Sequence, residues 1–167
     1  NAWAKFESNQ VSLEDFDELF AKESKLAGHE IRGKEVISML SGDLRPKMVE
    51  LLKLCKEQYK VACITNNVKA GRGPGMSTDD DKASKVSKVM ALFDDVIESS
   101  IEGIRKPNPE IYKLACRRIS VEPEKCLFID DLGINLKPAK ELGMKTIKVL
   151  SEAQALKDIC LITNINL

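Results

Sequence analysis

Two stretches of this chain run from apolar residues straight into side chains capable of chemistry: Val61-Ala62-Cys63-Ile64-Thr65-Asn66-Asn67 and Cys126-Leu127-Phe128-Ile129-Asp130-Asp131. Between them, Gly103-Ile104-Arg105-Lys106-Pro107-Asn108-Pro109-Glu110-Ile111-Tyr112 places a cation just ahead of a helix start. A hydroxyl, an ammonium and two adjacent carboxylates can together hold an anion and a hard divalent cation. Lysine brings a compact point charge. Magnesium prefers carboxylate and water oxygens, so one aspartate can ligate while its neighbour supports. Each pattern also has a plain structural reading: Thr65 and Asn66 turning the chain, Lys106 solvated, the aspartates capping the next helix. Three such groups, each at the end of an element, favour the chemical reading.

The elements that must position these groups follow from periodicity. The first 40 or so residues contain no strand pattern; Ser12 is a candidate N-cap, and Leu13, Phe16, Leu19 and Phe20 are spaced helically. A short helix is expected from Lys34 to Leu40, and break signals at Ser41 to Arg45 mark a boundary between domains 1–43 and 44–167. After a helix from Pro46 to about Glu57, strands alternate with helices. The strands are Lys60 to Thr65, Asp95 to Glu98, Cys126 to Asp130 and Lys145 to Val149. The helices are about Lys82 to Leu92, Pro109 to Ile119, Asn135 to Leu142 and Ser151 to Ile159. Such alternation predicts an α/β fold with a parallel sheet and right-handed crossovers, in which ligands bind beyond the strands' C-terminal ends. The tail from Leu161 to Leu167 reads as an apolar element docked on the sheet. Gly71-Arg72-Gly73-Pro74-Gly75 lacks the Gly-Lys-Ser/Thr ending of a phosphate loop and reads as a surface loop.

Composition narrows the class. The 167 residues are 43% hydrophobic and 31% charged, with 26 basic and 26 acidic side chains. A balanced, interspersed charge gives no field for nucleic acid or anionic membrane, so neither is an expected partner. No apolar run matches a membrane helix and the start is not a signal peptide, so the chain reads as cytoplasmic. Cys55, Cys63, Cys116, Cys126 and Cys160 lie in apolar stretches without CxxC spacing, which reads as reduced, buried thiols. His29 is the only histidine and reads as a surface residue, which argues against a histidine metal site or a serine-type triad.

The chain order of hydroxyl, lysine and aspartate pair resembles the haloacid dehalogenase (HAD) superfamily of hydrolases. Through Glu98-Ser99-Ser100, the run from Gly103 to Pro109 and Asp130-Asp131-Leu132-Gly133-Ile134-Asn135-Leu136-Lys137, the chain resembles the branch containing the phosphatase-like N-terminal domain of soluble epoxide hydrolase, over about Trp3 to Val149. The resemblance implies a Rossmann-like, three-layer parallel sheet with part of a helical cap in the first 40 residues. It implies that Thr65 and the backbone N–H of Asn66 contact a phosphoryl oxygen, and that Lys106 balances charge between nucleophile and phosphate, with Arg105 facing solvent. It also implies that Asp131 ligates Mg2+ with Asp130 in support, and that Asn135, where many relatives carry an acid, plays a weaker outer role.

The first motif of that superfamily, a strand ending in two aspartates one residue apart, has no match here. Asp15 and Asp17 have the spacing but lie on an amphipathic helix. The chain begins with Asn1 inside what resembles the cap, so about 50 upstream residues, including a first core strand, are expected to be missing. Losing that strand's ladder would cost an amount comparable to the stability of a domain. The gap is therefore expected to be filled by a retained fragment, a neighbouring chain or a rearranged sheet. The expected function is that of a magnesium-dependent phosphatase for a small organic phosphate, lipid or sugar, acting through an aspartyl-phosphate, with the chain as given inactive. The alternatives are a non-catalytic binding or regulatory module of the same fold, and a metal-independent 2-haloacid dehalogenase. Two carboxylates beside an aspartate nucleophile argue against the dehalogenase.

Overall fold

The amphipathic start folds into α1 (Ala2–Glu7), α2 (Leu13–Leu26) and α3 (Gly33–Ser38), followed by α4 (Pro46–Gln58). Strands then alternate with helices through β1 (Ala62–Thr65), α5 (Asp80–Met90), β2 (Asp95–Glu98), α6 (Ser99–Glu102) and α7 (Pro109–Ile119). A 3-10 turn at Pro123–Lys125 leads to β3 (Leu127–Asp130), α8 (Gly133–Glu141), β4 (Lys145–Lys148) and α9 (Glu152–Thr163). This computed structural model describes residues 1–40, 42–70 and 79–167, so the expected loop at Gly71-Arg72-Gly73-Pro74-Gly75 lies outside the described residues. Two elements differ from expectation. The short α6 follows β2 directly, and α9 runs through Leu161-Ile162-Thr163 before Asn164 turns left-handed at φ 57°.

The chain divides into two compact units. One comprises Asn1–Asp43, Thr65–Lys88 and Glu98–Arg105; the other comprises Leu44–Ile64, Val89–Ile97 and Lys106–Leu167. In the first, Ser12 caps α2: its Oγ accepts from the Asp15 amide at 3.0 Å and donates to the Asp15 carboxylate at 2.8 Å. The apolar stripe of α2 buries Phe16 against Phe6, stacked at 4.5 Å between centroids, and against Trp3, edge-on at 5.4 Å. A Cβ on Gly33 would lie 2.5 Å from the Phe16 ring, so the start of α3 approaches that core closely only as glycine. Asp17 clamps α2 to α3: its Oδ1 accepts from the Lys34 amide at 3.0 Å and its Oδ2 from the Arg32 guanidinium. The two residues with nucleophile-like spacing are thus the partner of the Ser12 cap and a helix-to-helix clamp.

In the second unit, β3 and β4 are parallel, with Leu127 opposite Lys145 and Asp130 opposite Lys148. Against this pair α4 and α9 bury Leu51, Ile147, Ile159 and Ile165, with Met48, Leu127, Ile129 and Leu156 packed around them. Asn108 caps α7 by accepting from the Glu110 amide at 3.0 Å, and Pro109 pre-forms the first turn.

β1 pairs with β2 and β3 with β4, and no strand among the described residues joins the two pairs. The parallel sheet is present as two separate strand pairs, as expected of a chain without the first core strand. A sheet spanning both pairs needs a strand that bonds to each, and none of these residues forms one. The expected filling of the gap is likewise not realised among them. The five cysteines are free thiols, with Cys116 Sγ and Cys126 Sγ 3.9 Å apart, and His29 is exposed. No helix among the described residues is long and apolar enough to cross a membrane.

Candidate active site

The site in the second unit is built by two elements that end at the same place. β3 delivers Asp130 at its C-terminal end, and the turn before α7 delivers Lys106, which precedes Pro107 through a cis peptide bond. Lys106 Nζ lies 2.8 Å from Asp130 Oδ2, with the side chains 12% and 4% exposed, and 5.8 Å from the centre of the Phe128 ring. An ion pair this buried holds only if the remaining lone pairs are satisfied. They are: Asp130 Oδ1 accepts from the Leu132 amide at 2.8 Å, and Asn135 Nδ2 lies 3.0 and 3.1 Å from the two carboxylate oxygens.

Asn135 is buried in the first turn of α8 and is fixed in turn by α7. The Tyr112 hydroxyl donates to the Asn135 carbonyl at 2.7 Å. Burial, with the Asp130 charge added, pushes the Tyr112 phenol far above its ordinary range, so this hydroxyl remains a donor. Asn135 thus holds the Asp130 carboxylate directly. Asp131 is exposed. It lines a cavity of about 660 Å³ together with Lys106, Asp130, Arg45, Ser151 and Glu152.

Thr65 and Asn66 lie at the end of β1 in the first unit and are not among the residues lining that cavity. The structure therefore brings together Lys106, Asp130 and Asp131 in one unit and holds Thr65 and Asn66 in the other. Arg105 is only 29% exposed in its side chain. It pairs with the buried Glu7 at 2.5 Å, which corrects the expectation of a solvent-facing residue. Tyr112, Arg45, Ser151 and Glu152 had no local sequence signal, since each reaches the site through packing.

Among the described residues no group of three or more His, Cys, Asp or Glu side chains is poised around a metal position. The donors nevertheless suit magnesium. That ion is usually held by one or two carboxylates, waters and a substrate phosphate, and Asp131 presents an exposed carboxylate beside the hydrogen-bonded Asp130.

A family model for a haloacid dehalogenase-like hydrolase matches residues 3–143. The chain is 32% identical over 163 residues to acyl-CoA dehydrogenase family member 10 of Mus musculus, covering 94% of this chain and 14% of that protein. It is 31% identical over 154 residues to mouse bifunctional epoxide hydrolase 2, covering 86% of this chain and 26% of that protein. The chain thus spans a minor part of either relative. A sesquiterpene phosphatase of Aspergillus oryzae is 27% identical over 144 residues, covering 85% of this chain and 69% of that protein. A HAD family enzyme from Bacteroides thetaiotaomicron, solved with magnesium and inorganic phosphate, superposes with a TM-score of 0.64 at 22% identity, covering 91% of this chain and 76% of that one.

Proposed function

The chain belongs to the haloacid dehalogenase-like hydrolase family, and from that premise we propose that the protein in its natural length is a magnesium-dependent phosphatase for a small organic phosphate. The observation that carries this reading is the buried Lys106–Asp130 pair, 2.8 Å apart at the C-terminal end of β3, with exposed Asp131 beside it in the same cavity. The phosphatase among its relatives and the magnesium and phosphate bound to the Bacteroides enzyme support it.

In this reading Asp130 orients the Lys106 ammonium, which offsets the negative charge of a bound phosphate. Thr65 donates its hydroxyl, and Asn66 its backbone N–H, to a phosphoryl oxygen. Asp131, with Asp130 in support, would hold Mg2+, which neutralises phosphate oxygens during transfer to a carboxylate nucleophile. That nucleophile belongs to the family's motif of an apolar strand running into Asp-x-Asp, and no apolar strand pattern of the 167 residues ends in that pair, so the chain as given is expected to turn over nothing. The same lack of a matching motif favours one second reading, a non-catalytic module of this fold.

Assayed with p-nitrophenyl phosphate, the natural-length protein should hydrolyse it only with magnesium present. Asp131→Asn should reduce the rate by about a hundredfold or more, the scale of a lost metal-assisted step. Turnover indifferent to chelator would overturn the magnesium reading, and no turnover under any condition would favour the non-catalytic module.

A further inference from the structure

Asn67 directly follows the pair assigned to phosphate binding, and it is 2% exposed. Its Nδ2 donates to Glu98 Oε2 at 2.5 Å. Its Oδ1 accepts from the Ser100 backbone N–H at 3.3 Å and from the Ser100 hydroxyl at 3.0 Å. Its own backbone N–H donates to Ser99 Oγ at 3.0 Å, and that hydroxyl donates back to the Asn67 carbonyl at 3.1 Å. Ser99 and Ser100 are 0% and 3% exposed, so this is a buried, closed network tying the end of β1 to the end of β2 and the start of α6.

A turn after a strand needs no such arrangement, because Asn in an exposed turn bonds to its own local backbone. A buried polar group is retained at cost unless every partner is met, and a met network fixes one geometry. Here the geometry fixed is that of residue 67, one peptide from Asn66 and two from Thr65. Phosphate-contacting groups must be held to within a fraction of an ångström to act together. An apolar residue of similar size would fill the space but leave Glu98 and the Ser100 amide without their partner.

We propose that Asn67 is a positioning residue: anchored by Glu98, Ser99 and Ser100, it holds the Thr65 hydroxyl and the Asn66 N–H in the arrangement that receives a phosphoryl oxygen. This rests on the phosphatase reading above. Asn67→Asp replaces the donor facing Glu98 by a second carboxylate oxygen. Glu98→Gln added to it restores a donor opposite an acceptor, with the two roles exchanged.

The test measures binding of inorganic phosphate, by calorimetry and by competitive inhibition, in the natural-length protein beside its melting temperature. Asn67→Asp should weaken phosphate about tenfold, the worth of one matched hydrogen bond turned into a mismatch. The double variant should return to the affinity of the unaltered protein. Ser100→Ala, a milder change that keeps the fold, should weaken phosphate about threefold. Unaltered phosphate affinity in Asn67→Asp or Ser100→Ala, whatever the melting temperature, would overturn the inference alone. So would a double variant that regains its melting temperature but not its affinity. Absence of phosphate binding by the unaltered protein would overturn the phosphatase reading and this inference together.

Discussion

Two adjacent cations of this chain are committed to different carboxylates: Arg105 to Glu7 and Lys106 to Asp130. Their contexts differ in what removal would do. Asp130 is 4% exposed in its side chain and saturated by Lys106, Asn135 and the Leu132 amide. Replacing it with Asn removes the carboxylate charge 2.8 Å from the Lys106 ammonium in a poorly hydrated position. Asp130→Asn should therefore destabilise the protein by about 3 kcal/mol, within the range for breaking a buried pair from one side. Urea unfolding followed by circular dichroism reads this directly. A loss under about 1 kcal/mol, the size of an ordinary exposed pair, would mean that Lys106 relaxes into solvent.

Helix contacts decide the pH behaviour of the N-terminal helices. The Lys34 backbone N–H, with the Arg32 guanidinium beside it, holds the Asp17 carboxyl below the ordinary aspartate range. A depressed folded value stabilises at pH above the unfolded value and is lost as pH falls through the folded one. The contribution of Asp17 should thus be complete above roughly pH 4 and fade below it. Asp17→Asn should melt lower than the parent at neutral pH, with the gap closing on acidification. A gap constant from pH 7 to pH 2 would exclude the clamp. What was legible in sequence was the local part of this scale: Ser12 and Asn108 as caps, Pro109 in a first turn, and strands ending at Thr65 and Asp130. What was not legible was set by distant partners. Asp17 meets Arg32 fifteen residues away and Asn67 meets Glu98 thirty-one away, as the two residue numbers give. The periodicity that revealed four strands carries no information on which of them pair; the break between β1–β2 and β3–β4 followed instead from the unmatched first motif.

Over the whole molecule, two units each hold a core of their own: Phe6, Phe16 and Val68 in one, Leu51, Ile147 and Ile159 in the other. Trp3, the single tryptophan, packs edge-on against Phe16 and so reports on the first alone. That core rests on helices with no strand pair of its own among the described residues, which predicts a non-coincident transition. Trp3 fluorescence should change at lower urea than the far-ultraviolet dichroism, and superimposable curves would show one cooperative unit instead. The thiols of Cys116 and Cys126 lie 3.9 Å apart, near enough to invite a crosslink. Burial pushes Cys116 up to about 12 and raises Cys126 as well. Only the ionised form of a thiol attacks another sulfur, and burial favours the neutral form of both. The pair is chemically quiet by virtue of its setting: sulfurs placed side by side, yet lacking the charge that would let dissolved oxidants sew them together.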